Sequence, residues 1–149
     1  MTDTAETPAH EQRVAHDYLI AYPEHAPRES DPHYVDFEAY RKRTVATAKC
    51  GWGVAVGDFS ECGGGLELHH HDIEFALQNS VDLKHLEFAY PGVSNPNEVG
   101  AWVESGTNLE WLCQKHHIAA GAGVHDLSSS DYAASRFVQS VFSAEAKVI

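Results

Sequence analysis

Leu66-Glu67-Leu68-His69-His70-His71-Asp72 is the stretch that decides how this chain is read. A second stretch answers it about forty residues later: Asn108-Leu109-Glu110-Trp111-Leu112-Cys113-Gln114-Lys115-His116-His117. The two hold five of the eleven histidines and one of the three cysteines. Each imidazole brings two ring nitrogens that need partners, so so many together are costly in a plain core. A metal ion satisfies them, and imidazole is the commonest metal-ligand side chain. Both stretches therefore read as walls of one metal site or of two adjacent ones. Leu66-Glu67-Leu68-His69 alternates like a strand. Neighbouring histidines on a strand point to opposite faces, so His69 and His70 cannot do the same job: one can bind a metal while the other takes a proton.

The cysteines, Cys50, Cys62 and Cys113, are odd in number. With no secretion signal in the sequence, a disulfide framework is disfavoured and zinc with a histidine as fourth ligand is expected. Cys113-x2-His116 has zinc spacing, whereas Cys50 and Cys62 are separated by eleven residues, wider than the usual two to four. Glycines crowd this region (Gly51, Gly53, Gly57 and Gly63-Gly64-Gly65) and let a backbone turn around a metal. Cys50, Cys62, Cys113 and His116 would form a closed, tetrahedral structural site.

At 149 residues the chain is expected to be one domain with core enough to fold alone. No run approaches the roughly 18 apolar residues of a membrane span. Met1 to His10 lacks the basic-then-apolar pattern of a signal peptide, so a cytoplasmic protein without a membrane partner is expected. The net charge of −12 opposes tight non-specific binding to nucleic acid. Much of it sits between Asp3 and Glu38. The expected organisation is an acidic, Pro-containing arm over residues 1–33, holding one short helix at His10–Leu19, followed by a domain over residues 34–149.

A helix is expected over Tyr34–Ala48, with Val35, Phe37, Tyr40 and Val45 as apolar contacts. Arg41, Lys42 and Arg43 form the main concentration of positive charge. They read either as a solvated face balanced by Asp36 and Glu38 or as a phosphate-contact patch. Val54–Val56 is expected to be a short strand. Short helices are expected after Asp72, over Val81–Phe88 and over Glu98–Glu104, as an elaboration between the halves of the site. Leu109 and Leu112 give an apolar face running into a helix that carries Cys113, His116 and His117. Gly121-Ala122-Gly123 ends it, and Ser130 caps a last helix over Asp131–Phe142.

Leu-Glu-Leu-His-His at 66–70, followed by Asn-Leu-x-x-Leu-Cys-x-x-His-His at 108–117, resembles the HNH endonucleases. Over roughly residues 34–126 it is similar to the small HNH proteins of actinobacterial phages and their hosts. The resemblance implies an α+β fold: a ββα-metal core, with zinc-stapled Gly-rich loops, inserted short helices and flanking helices. It implies His69 as first ligand of a catalytic divalent ion (Mg2+, Mn2+, Ni2+ or Zn2+) and His70 as the general base. Asn108 would orient that base, and His117 would be the second ligand. The Cys50, Cys62, Cys113, His116 zinc cluster would join the halves. Ala120 or Gly121 stands where the family often supplies a further ligand, which leaves His125, His71 and Asp72 as the alternatives. The activity implied is hydrolysis of DNA phosphodiesters, as a nick or a double-strand cut, with Arg41, Lys42 and Arg43 against the DNA; for a phage protein, the implied partner is a terminase subunit. The competing expectation is a zinc-stabilised adaptor or DNA-binding module that keeps the fold without the chemistry.

Overall fold

A computed structural model describes residues 6–139 and 141–143. The chain is an α+β protein with one two-stranded antiparallel sheet and several short helices. Strand β1 (Leu66–His70) pairs with β2 (Leu109–Cys113), Leu66 opposite Cys113 and His70 opposite Leu109. Helix α5 (Gln114–Ile118) follows β2 directly. Two strands alone are marginal in water, so the sheet depends on what covers its two faces.

One face packs on α2 (Gly51–Val56) and α6 (Ser129–Ser135). Leu112 of that face joins a buried cluster with Cys50, Trp52 and, at the end of β2, Cys113, with Val56, Val124 and Tyr132 against it. The other face meets α1 (Tyr34–Thr44), whose Thr44 hydroxyl accepts a hydrogen bond from Trp111 Nε1 at 2.9 Å. Asp36 in the first turn of α1 and Arg41, Lys42 and Arg43 in its last turn complement the helix dipole.

The insertion between the strands has its own small core. A 3-10 turn over Phe75–Ser80 leads to α3 (Leu83–Ala89) and α4 (Pro96–Val103). Leu86, Val93, Val99, Trp102 and Val103 are buried together, with Ile73, Val81, Leu83 and Tyr90 beside them. Asp82 caps α3 by accepting from the His85 amide, and Asn95 caps α4 just before Pro96.

Asn108 ties the insertion to the sheet. It is fully buried. Its Oδ1 accepts from the Asp72 and Ile73 amides at 2.9 and 3.0 Å, and its Nδ2 donates to the Ile73 and Val103 carbonyls, both at 2.9 Å. One side chain thereby joins the exit of β1, the end of α4 and the entry to β2.

Several local expectations are corrected. Val54–Val56 is helical. Trp52 is buried while Val54 is exposed, a helical rather than a two-residue period, and Gly57 ends the helix at φ 68°. Residues 6–27 carry no regular secondary structure, so the helix at His10–Leu19 does not form; Val14, Tyr18 and Leu19 lie exposed with no face to pack on. The first helix ends at Thr44 and is followed by a 3-10 turn over Val45–Thr47, and Val35 and Val45 are exposed. The last helix is capped by Ser128, not Ser130, and stops at Ser135. Phe137 and Val141 lie beyond its end and are exposed, while Ser140 lies outside the described residues. No helix among the described residues is long and apolar enough to cross a membrane.

Replacing Asn108 by Ala would strand backbone amides and carbonyls in two segments, at Asp72–Ile73 and at Val103. Asn108→Ala is predicted to lower unfolding free energy by about 2–4 kcal/mol in urea titrations. A loss below about 0.5 kcal/mol, the size of an ordinary surface change, would contradict this bracing role.

Candidate metal centres on the hairpin

Cys50, Cys62, Cys113 and His116 converge, with their candidate ligand atoms all within 4.8 Å of one another. Cys50 immediately precedes α2, and Cys62 lies in the loop before the three glycines. Cys113 ends β2 and caps α5, and His116 sits inside α5. The Gly-rich loop is fastened to that junction, because the Gln114 and Lys115 amides donate to the Gly65 and Gly63 carbonyls at 2.9 and 3.0 Å. His116 Nδ1 lies 3.7, 3.8 and 3.2 Å from the sulfurs of Cys50, Cys62 and Cys113. The Trp52 ring covers the imidazole face, with centroids 4.1 Å apart and planes 7° from parallel.

The acid–base chemistry of this cluster suits a metal. Burial, reinforced by the sulfurs of Cys50 and Cys113, pushes the Cys62 thiol up to about 12. Burial acts the same way on Cys113, but backbone hydrogen bonds from His116 and Gly63 outweigh it and lower that thiol. Burial first, then the Lys115 charge, pushes His116 down to about 4, so its ring is neutral at pH 7 as a ligand must be. A cation bound there would let the sulfurs ionise together. Three sulfurs and one nitrogen at this spacing fit a closed zinc site.

The second cluster is His69, His117 and His125, again within 4.8 Å ligand to ligand. The ring centroids are 5.2 Å apart for His69–His117, 4.9 Å for His69–His125 and 4.8 Å for His117–His125. His69 is buried on β1, and its Nδ1 has no hydrogen-bond partner among the described residues. Burial, and then the neighbouring His125 and His117 rings, pushes its pKa down to about 3. A buried, neutral, unpartnered imidazole nitrogen beside two further imidazoles fits a divalent metal.

His125 arrives through a tight return of the chain. The Val124 and His125 amides donate to the His116 and His117 carbonyls at 2.9 and 3.1 Å. A Cβ on Gly123 would stand 2.7 Å from the Ile118 nitrogen, so only glycine allows this close approach. Glu67, two residues before His69 and on the same strand face, holds His117 through its Nδ1 at 3.0 Å. That leaves His117 Nε2 for a ligand, the carboxylate–histidine arrangement common behind metals.

The other expected residues lie as follows. Among the alternatives for a third ligand, the structure gathers His125 with His69 and His117. His71 instead pairs with Asp72 at 2.7 Å, and Asp72 accepts from the Tyr90 hydroxyl. His70 leaves the opposite face of β1: its Nε2 is 2.7 Å from Glu104 Oε1, and its ring stacks on Phe37 with centroids 5.9 Å apart. Its Nδ1 is 3.9 Å from Glu74, whose other oxygen is 3.9 Å from His125 Nε2. Asn108 bonds the backbone just after His70, and Glu104 is the side chain that holds the ring. Arg41 is paired with Glu38 at 2.8 Å, and Arg43 lies over the Tyr40 ring.

Glu67, Glu104 and Arg28 were not singled out from sequence. Strand alternation places Glu67 beside His69, a usable signal. Glu104 is brought to His70 only by the fold of the insertion.

Comparison with protein-family models, with curated proteins and with solved structures finds no match to this chain.

Glu67→Gln is predicted to weaken divalent-metal binding at the histidine cluster ten- to hundredfold, the usual effect of losing such a partner, by calorimetric Ni2+ titration of zinc-loaded protein. Unchanged affinity would show that this histidine set binds no ion through His117 Nε2.

Proposed function

We propose that the chain is a metal-dependent endonuclease of the HNH type that hydrolyses DNA phosphodiester bonds. The observation that carries this reading is the pairing of two differently placed histidines on one strand. Buried His69, with its unpartnered Nδ1, joins His117 and His125, while adjacent His70 is held by a carboxylate on the other side of β1. A purely structural site has no use for the second arrangement. The motif resemblance supports the reading, as does a helix that directly follows the second strand, the order a ββα-metal core would need.

His69, His117 and His125 would hold the catalytic ion, and Cys50, Cys62, Cys113 and His116 a structural zinc. A bound divalent ion supplies positive charge for the phosphate and for the departing oxygen. His70, as a neutral imidazole, takes a proton from water through Nδ1. The water oxygen attacks phosphorus, the bond to the sugar oxygen breaks, and that oxygen takes a proton from solvent. Asn108 contributes by fixing the backbone on which His70 stands, because a base out of line with the water loses most of its effect. Lys42 and Arg43 in the last turn of α1 would be the cations for neighbouring phosphates, since Arg41 is engaged by Glu38.

One observation favours the adaptor reading. The net charge of −12 and the Arg41–Glu38 pair leave little positive surface for DNA. Both readings keep the zinc cluster; they part at His70, which an adaptor does not need.

His70→Ala is predicted to reduce nicking of supercoiled plasmid by about a hundredfold or more, the usual contribution of a general base, with zinc content and circular dichroism unchanged. The assay adds Mg2+, Mn2+, Ni2+ or Zn2+ in turn to protein freed of the exchangeable ion. Nicking that survives the substitution, or a wild-type protein that nicks with none of these ions, contradicts the proposal.

A further inference from the structure

The ring of His70 is held by a chain of contacts that begins outside the hairpin. Glu104 ends α4 with its side chain fully buried, and its two oxygens are both engaged. Oε1 lies 2.7 Å from His70 Nε2, and Oε2 accepts from Arg28 Nη2 at 2.7 Å. Arg28 comes from the short turn before α1, in the segment that the sequence divides off as an acidic arm. Its guanidinium sits among three aromatic rings, 5.1 Å from the centroid of Tyr34, 4.6 Å from Phe37 and 4.8 Å from Phe75. Phe37 serves twice, since it also stacks on His70.

This arrangement fixes which nitrogen carries the proton. A carboxylate paired with arginine only accepts hydrogen bonds, so His70 Nε2 is the N–H donor and, in the neutral ring, Nδ1 keeps its lone pair. Nδ1 is the nitrogen on the side of Glu74, and Glu74 in turn reaches towards His125. Glu74 thus stands between His70 Nδ1 and His125, 3.9 Å from each. Arg28 also makes the arrangement possible. A buried carboxylate without a countercharge is strongly disfavoured, and the aromatic cage holds that countercharge in place.

We propose that Glu104 is the positioning residue of His70, and that Arg28 sets Glu104, so that the base is correctly oriented only while the segment before α1 is docked. This rests on the reading of His70 as a general base. Residues 28–33 then belong to the working site rather than to a separable arm.

Glu104→Gln is the sharpest test because it keeps size and shape. Arg28 claims the single amide oxygen, which turns the NH2 group towards His70 Nε2. That nitrogen must then accept, and the proton moves to Nδ1, leaving the wrong nitrogen basic, as in the known loss of the tautomer-setting carboxylate from a serine-protease triad. In full-length, zinc-loaded protein, nitrogen-15 NMR of His70 at alkaline pH is expected to report Nε2–H in the wild type and Nδ1–H in Glu104→Gln. The single-turnover nicking rate is expected to fall about a hundredfold or more, with DNA affinity and zinc content unchanged. Arg28→Ala is expected to lose rate as well and to regain part of it with added guanidinium, which fits the vacated aromatic cage. An Nε2–H signal and wild-type rate in Glu104→Gln overturn the proposal, and failure of guanidinium to restore Arg28→Ala overturns the part assigned to Arg28. An inverted tautomer in Glu104→Gln, with a wild type that nicks under no metal, supports the clamp and removes the nuclease reading instead.

Discussion

Cys113 is where the structure's requirements meet. It is the last residue of β2, the cap of α5 and one of three sulfurs that face His116. A two-stranded sheet and a five-residue helix have little stability of their own. The Cys50, Cys62, Cys113, His116 cluster ties α2, the Gly-rich loop, β2 and α5 to one point, and Trp52 closes over it. Without a cation, burial and the neighbouring sulfurs keep the Cys62 thiol protonated. With a cation the cluster becomes the anchor of the hairpin. Metal-binding energy in such a site is also folding energy.

Given that anchor, β1 divides the chemistry between its faces. Glu67 and His69 turn towards α5, where Glu67 holds His117 and His69 meets His117 and His125. His70 turns the other way, into Phe37 and Glu104. The insertion between the strands has a positional role: it carries Glu104 at the end of α4, and it is locked to the sheet by Asn108. Each face thus has a carboxylate behind a histidine.

The sequence made the metal clusters easier to see than the contacts that orient them. Cys113-x2-His116 is recognisable because helix geometry brings i and i+3 together, and the alternation through Leu66–His69 reveals both the strand and the opposed directions of His69 and His70. Cys50 and Cys62 can be assigned to the same site from ligand chemistry and the surrounding glycines, but not from their spacing, because their convergence depends on α2 and the glycine loop. Val54–Val56 looked like a strand from its residue types, yet burial of Trp52 and the Gly57 turn made it a helix. Glu104 and Arg28 gave no local signal: 76 residues separate them, and burial of the insertion core is what brings them together. The arm was read as separable on charge and proline content, and those say nothing about a single arginine inserting among three rings.

The central claim, that a Cys3His metal cluster organises the hairpin, is tested most directly by zinc-edge X-ray absorption on protein carrying one equivalent of zinc. Three sulfurs at about 2.3 Å and one nitrogen at about 2.0 Å are predicted around the zinc. A shell of nitrogen and oxygen alone would contradict it, because the first zinc would then have gone to the histidine cluster or the surface and left the cysteines as ordinary buried thiols.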